Sequence, residues 1–363
     1  MAKSADYSLG PAVFPRGWFI VAESSELDSG PLAVRFFGQD FALYRGESGI
    51  PVMLDAYCAH MGTHIAASTS AMIVQNGKQI EGDSIRCPYH GWRYGPDGQL
   101  NDIPYHDGPC PKSAALKSWP VRDVMGCVMM WHDPEGGEPD YEPPCLQEWD
   151  DPTWVRWELD HLGEIEIHGQ EILDNMADAQ HLGPTHGAPC EYFENEIDGH
   201  LCIQRQGGFH QGYDAMLTTT TWYTGPGILL SKQEFGEVLT FELIANTPVD
   251  DGVSKVWHAA LAQAQTVPHS EEDIANAKDI QAGALQAFAA DFDVWRHKRS
   301  AIRIMQMPND GPFKMVRKWF AQFYDLRENA GKYLDEAAGV YHVPSLEVPD
   351  AAARELEIGL FGR

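Results

Sequence analysis

Along residues 17–46, apolar and β-branched residues come in short runs, GWFIVAESSEL and then PLAVRFFGQDFALYRG, punctuated by Gly, Pro and Asp. That rhythm predicts short strands. VMLDAY at 52–57 continues it. Residues 58–110 read as loop-rich, with a turn at YGPDGQL (94–100), and WPVRDVMGCVMMW at 119–131 supplies closing strands. No helical periodicity of ordinary length precedes residue 135. Residues 15–135 are therefore expected to form an all-β domain behind an N-terminal extension, 1–14. A stretch rich in Pro, Gly and acids follows, and 136–152 is assigned as a linker.

Beyond it the pattern changes to α+β. HGQEILDNMADAQHL (168–182) predicts one helix stopped by Gly183-Pro184. Strand-like pieces fill 191–265. A long helix is expected over 271–298, capped by Ser270 with Asp273 three residues on. Its apolar stripe includes Ile274, Ala277, Phe288, Phe292 and Trp295. A shorter helix is expected at 318–330. Residues 153–363 thus read as a second, larger domain.

Charge narrows the function classes. The 363 residues hold 26 Lys and Arg against 53 Asp and Glu, a formal charge of -27. No basic footprint for nucleic acid is visible, and attraction to an anionic membrane has no support. The surplus favours solubility and a basic partner protein. No signal-peptide core or stretch of eighteen apolar residues is present, so a cytoplasmic location is expected. Of seven cysteines, Cys110, Cys127, Cys145, Cys190 and Cys202 are spread out and read as buried thiols.

Cys58 and Cys87 stand apart. Cys58-Ala-His60 is followed after 26 residues by Cys87-Pro-Tyr-His90. Two thiolates and two imidazoles suit a structural zinc, or a [2Fe–2S] cluster with both Cys on one iron and both His on the other. The unequal spacings, the β-hairpin surroundings, and Gly62 and Gly91 just after the two His favour the cluster. In this reading the two glycines let backbone N–H groups approach the sulfurs. The excess spacer, SAMIVQNGKQIEGD (70–83), reads as an enlarged hairpin. His64 reads as an ordinary polar residue.

CxH…CPYHGWRY resembles the Rieske domain of the Rieske non-haem iron oxygenases. NMADAQHLGPTHG (175–187) is similar to that family's catalytic-iron motif. DVWRHKR and DGPFKMVRKWFAQFY resemble the C-terminal region of its 3-ketosteroid 9α-hydroxylase branch. The resemblance implies a terminal oxygenase with a helix-grip-like catalytic domain. Its cluster would sit on Cys58, His60, Cys87 and His90, and a mononuclear Fe(II) on His181, His186 and one carboxylate. Asp291 and Asp293 are the candidates. Helical arithmetic puts Asp291 on the inward stripe with Phe288 and Trp295, and Asp293 roughly 160° away. Asp291 is the chosen ligand.

By the same resemblance, Asp178 orients His181 and bridges it to the cluster histidine of a neighbouring subunit, which implies a homotrimer. Asn175 shares that catalytic pocket. Electrons from NAD(P)H would arrive through a separate reductase or ferredoxin, since no G-x-G-x-x-G follows a strand here. With O2 they would hydroxylate a bulky hydrophobic, steroid-like or polycyclic substrate. N- or O-dealkylation of an aromatic or xenobiotic compound, or aromatic dioxygenation, uses the same iron chemistry. Met216, Leu217, Trp222, Tyr223, Ile228, Leu229, Phe235 and Leu239 are the expected substrate pocket. Two other classes compete. A Rieske-type electron carrier needs only the first third and leaves the two-His motif unexplained, and a zinc scaffold would be colourless.

Overall fold

The computed structural model describes residues 2–212, 214–350, 354 and 359. The chain divides into two compact units, Phe19–His132 and Met1–Trp18 with Asp133–Arg363. A helical turn, α1 (Ser4–Tyr7), opens the chain.

The smaller unit is β-rich, as its short apolar and β-branched runs predict. One sheet joins β1 (Gly17–Glu23) to β11 (Cys127–His132) and β10 (Val121–Val124). A second runs β2 (Leu32–Phe36), β3 (Gln39–Arg45), β4 (Pro51–Asp55), β9 (Ser118–Trp119). The third orders β5 (Ile80–Glu81), β6 (Ser84–Arg86), β7 (Arg93–Tyr94) and β8 (Leu100–Asp102). Tyr44, Leu54, Ile65, Ile85 and Tyr94 form a buried core that takes in Cys58 and Cys87. The enlarged hairpin expected at 70–83 is in part a helical turn, α2 (Met72–Gln75), that leads into a short β5–β6 hairpin.

The larger unit is built on a nine-stranded sheet. β12 (Trp154–Val155) and β13 (Asp160–Ile165) both pair with β19 (Val253–Gln263). From β19 the order is β18 (Val238–Asp250), β17 (Ile228–Phe235), β16 (Ala215–Thr224), β15 (Leu201–His210), β14 (Tyr192–Asp198) and β20 (Gly339–His342). All these neighbouring strands pair antiparallel. Across one face lies α5 (Glu271–His297). Ser270 accepts from the Asp273 N–H, and Asp273 reaches back, the capping box its sequence predicts. Phe288, Phe292 and Trp295 pack on Val256, Ile165 and Ile167. Burying each of these rings contributes about 2 kcal/mol.

Three helical expectations need correction. Residues 168–182 are not one helix. α3 (Gly169–Leu173) passes into a 3-10 turn, Asp174–Ala177, and Asp178 leaves helical geometry at φ -97°, ψ 98°. The Asp178 carboxylate accepts from the N–H groups of Gln180 and His181, a local turn that competes with the helix. Nor does Gly183-Pro184 stop a helix. Pro184 sits in the first turn of α4 (Leu182–His186), where its missing N–H costs nothing, and Gly187 at φ 74° ends that helix. In place of one helix at 318–330 there are two, α6 (Phe313–Ala321) and α7 (Arg327–Ala337). Among the spread cysteines, Cys127 and Cys202 are buried, but Cys110, Cys145 and Cys190 lie on loops and are only partly buried. Among the described residues, no helix is long and apolar enough to cross a membrane.

Candidate metal centres

Two near-identical loops carry the first set of donors. Cys58 donates its N–H to Thr63 O, and Gly62 donates to Cys58 O. Cys87 donates to Trp92 O, and Gly91 to Cys87 O. Gly62 and Gly91 hold φ of 69° and 73°, which lets each loop turn tightly. Their N–H groups therefore close the loops on carbonyls and do not approach the sulfurs. That part is taken by others. The His60 N–H lies against the Cys58 sulfur, and those of Tyr89 and His90 lie against Cys87.

The donor set is asymmetric. Cys58 and Cys87 are buried, whereas His60 is exposed and His90 half-buried. The two imidazoles meet edge to face at 4.6 Å, and Trp92 stacks on His60 at 4.5 Å. Cys58 Sγ lies 3.2 Å from the Tyr94 hydroxyl. The hydrogen bond with Cys87, helped by Tyr94, holds the Cys58 thiol down at about 5 against burial. Cys87 moves up, through Cys58 and burial. A thiolate pair in the core and an imidazole pair toward the surface fit a cluster with one Cys-bound and one His-bound iron. His64 stays apart from this set: its Nδ1 accepts from the Ala66 N–H, and its ring meets Tyr57.

The second set lies in the larger unit. His181 is the N-cap of α4 and His186 its last residue, so the one-turn helix presents both rings, 5.2 Å apart. Asp291 comes from α5, 8% exposed, with Oδ2 3.4 Å from His186 Nε2. One ligand atom from each of the three lies within 4.8 Å of the others. Asp293 points away, its side chain 81% exposed. Two half-buried imidazoles and one buried, inward carboxylate suit a mononuclear Fe(II) site with open positions.

His181 is held from behind. Its Nδ1 lies 2.8 Å from the main-chain carbonyl of Asp178, while the Asp178 carboxylate is 3.8 Å away. Burial alone would lower the His181 pKa, but Asp178 outweighs it and raises the group. Asp178 itself is lowered: burial opposes, and His181 prevails. Asn175 sits on the 3-10 turn, and its carbonyl accepts from Gln204. Gln204 and Asn195 also hold the Met176 carbonyl, and Arg317 clamps the buried Asp174. Gly311 presses on Ala177, and Asp310 O accepts from Ala179 N. None of these supports carried a sequence signal beyond its residue type.

The expected pocket splits between the two sheet faces. The strand register puts Leu217, Tyr223, Leu229 and Phe235 on the face that α5 covers. Met216, Trp222, Ile228 and Leu239 point to the opposite face. Those four lie on the face away from α5 and Asp291. Strand side chains alternate, and apolar residues at both parities here belong to two different surfaces.

Comparison with known proteins places these features. Residues 17–120 match the family model of the Rieske [2Fe-2S] domain. Residues 130–324 match that of the 3-ketosteroid 9alpha-hydroxylase C-terminal domain. A 3-ketosteroid-9-alpha-monooxygenase oxygenase component from Rhodococcus rhodochrous is 29% identical over 328 residues, covering 86% of this chain and 83% of the relative. The cholesterol 7-desaturase of Caenorhabditis elegans is 27% identical, covering 90% and 80%. Among solved structures, apo dicamba monooxygenase matches with a TM-score of 0.66 at 16% identity, over 88% of this chain and 99% of that one. Pseudomonas putida CBB5 NdmA with caffeine matches at 0.64 and 18%, over 88% and 94%. At these identities the structural likeness speaks for the fold.

Proposed function

The chain belongs to the 3-ketosteroid 9α-hydroxylase family of Rieske oxygenases, and on that premise we propose that it is the terminal component of a multi-protein monooxygenase. It is a Rieske non-haem iron enzyme with a [2Fe–2S] domain and a His-His-Asp iron site. In the proposed reaction, RH, O2, two electrons and two protons give ROH and H2O. A separate NAD(P)H-dependent reductase, directly or through a ferredoxin, supplies the electrons. The observation that carries the reading is the convergence of His181, His186 and Asp291 in a chain that also carries the Rieske donors.

When bound, the two metal groups supply electron storage and dioxygen activation. The chain's own residues do the positioning. The Asp178 carbonyl accepts from His181 Nδ1–H, which fixes the tautomer and leaves Nε2 as the free donor. Asp291 supplies the single negative charge among the three ligands. In the proposed homotrimer Asp178 bridges to the cluster histidine of a neighbouring copy, and the 31% exposure of its side chain supports that role. Asn175 is assigned to the same pocket.

For the substrate, the steroid-like reading rests on sequence kinship. A second reading, oxidative N- or O-dealkylation of a heteroatom-bearing compound, is favoured by the polar character of the sheet face under the iron site. On that face Gln204, Gln206, Thr219, Thr221 and Ser231 are buried. A hydroxylated N- or O-methyl then breaks down to formaldehyde and the dealkylated product. The test is a single turnover of the reduced, iron-loaded protein under 18O2 with a panel of steroids, aryl ethers and N-methyl amides. One labelled oxygen in the product or in formaldehyde is expected, the other leaving as water. Two labelled atoms in the product would mean dioxygenation, and no consumption of O2 with any compound would refute the oxygenase assignment.

A further inference from the structure

Three buried or half-buried polar side chains form one rung across the sheet face that carries the iron site. Gln206 of β15 pairs with Thr219 of β16, which pairs with Gln233 of β17. Paired residues in antiparallel strands share a face. This face is fixed at both ends. Gln206 pairs with Phe193, which packs against Ala179 and Leu182 beside His181. On the other side the rung continues through Thr240 of β18 to Ala262 of β19, which packs against Ala277 of α5, the helix that also carries Asp291. The rung therefore lies beneath the two helices that supply the triad.

Thr219 is 7% exposed, and its hydroxyl has no hydrogen-bond partner among the described residues. The next rung differs: there Thr221 Oγ1 and Ser231 Oγ satisfy each other at 2.7 Å. Gln206 is 5% exposed and uses its Oε1 to accept from Cys190 Sγ, which leaves its amide N–H groups to donate. Gln233 donates its amide to Glu242, which leaves Oε1 to accept. Glu242 is also held by His258. A buried hydroxyl without a partner costs about 1–3 kcal/mol, and a ligand that satisfies it recovers that.

We propose that the rung Gln206–Thr219–Gln233 is the substrate-docking floor and selects an uncharged, flat heterocycle or cyclic amide bearing carbonyl or ring-nitrogen acceptors. The inference rests on the oxygenase reading above and names its substrate class. The two donors, Gln206 and Thr219, sit on neighbouring strands roughly 5 Å apart and match the carbonyl and ring-nitrogen acceptors of a bicyclic heteroatom ring, while the half-buried Gln233 Oε1 takes an N–H where the ring carries one. A hydrocarbon steroid face laid on this floor would leave the Thr219 hydroxyl and the Gln206 amide buried and unpaired. A site built this way discriminates against compounds that lack the matching groups.

The test uses anaerobic, iron-loaded protein and calorimetric titration with two probes, caffeine and androst-4-ene-3,17-dione. Caffeine should bind once per chain and more tightly than the steroid. Thr219→Val should weaken caffeine binding about tenfold, the worth of one buried hydrogen bond. Thr219→Ser should restore most of it. Gln206→Met should weaken it comparably, and Thr220→Val, on the opposite face, should leave it unchanged. Tighter steroid binding, no binding of either probe, or caffeine binding indifferent to both Thr219→Val and Gln206→Met would overturn the proposal. Iron content and the reddish cluster absorbance are recorded on the same samples. Protein that holds its metals but fails the binding test refutes the docking floor alone, whereas protein without them refutes the oxygenase reading.

Discussion

Gly311→Ala probes how the iron site is supported from outside its ligands. Gly311 holds φ 134°, a conformation that disfavours any side chain. A Cβ there would lie 1.7 Å from Ala177 O and 2.9 Å from its carbonyl carbon, where real contacts stay beyond 3.0 Å. The obstacle is backbone and cannot rotate away. Relief requires Ala177–Ala179 to move by about 1 Å, and that segment leads into His181, a scale at which site function falls about 100-fold. The strained dihedral adds about 1–3 kcal/mol. A total loss of about 3 kcal/mol is expected, near the upper end for point changes. Urea unfolding monitored by tryptophan fluorescence gives the stability, and iron analysis gives the occupancy. The expected variant has a lower midpoint, keeps the two cluster irons and loses much of the third. A wild-type midpoint with three irons per chain would show that this contact does not hold the His181 segment.

Other consequences can be checked separately. His168 is 5% exposed, and burial lowers its pKa to about 4, with Asp251 and Glu171 opposing. Its Nδ1 accepts from Gln170 N–H, and its Nε2 lies 3.0 Å from Ser4 Oγ. The folded pKa is below the unfolded 6.5, so the native state takes up this proton later. Stability should fall as pH drops from 6.5 toward 4, by about 2 kcal/mol at pH 5. His168→Gln should flatten urea midpoints across that window, and an unchanged slope would contradict it. Asp178→Asn should keep three irons yet stop multiple turnover, and wild-type turnover would remove the electron-bridge role. Reduction of the cluster by the proposed reductase or ferredoxin should slow as salt rises, given the charge of -27. A rate indifferent to ionic strength would argue against charge-guided docking.

Much of the donor chemistry was readable before any coordinates. Ligand spacing in Cys58-x-His60 and Cys87-x-x-His90 is local, so the motif carries it. The inward phase of Asp291 followed from the regular α5 repeat, which holds because packing on Val256 and the Ser270 cap agree with it. The 168–182 region misled for a physical reason. Its helical periodicity was real, but the Asp178 turn and the contact at Gly311 override propensity, and Gly311 lies 134 residues from Ala177 in sequence. The division of the pocket candidates between two faces was hidden for another reason. Residue type alone does not tell which parity of a strand faces the helices, and only the register separates Leu217 and Phe235 from Met216 and Leu239. The polar floor was invisible because it consists of single residues on three strands.

Counting iron in the wild type, Asp291→Ala and Asp293→Ala shows which carboxylate completes the iron site. Asp291 is the inward carboxylate beside His186, and Asp293 is largely exposed on the far side of the same helix. Wild-type protein should hold three irons and two acid-labile sulfides per chain. Asp291→Ala should fall to about two irons with the cluster absorbance intact, and Asp293→Ala should keep three, at a stability change within about 0.5 kcal/mol. Three irons retained in Asp291→Ala, or the third iron lost from Asp293→Ala instead, would contradict the account.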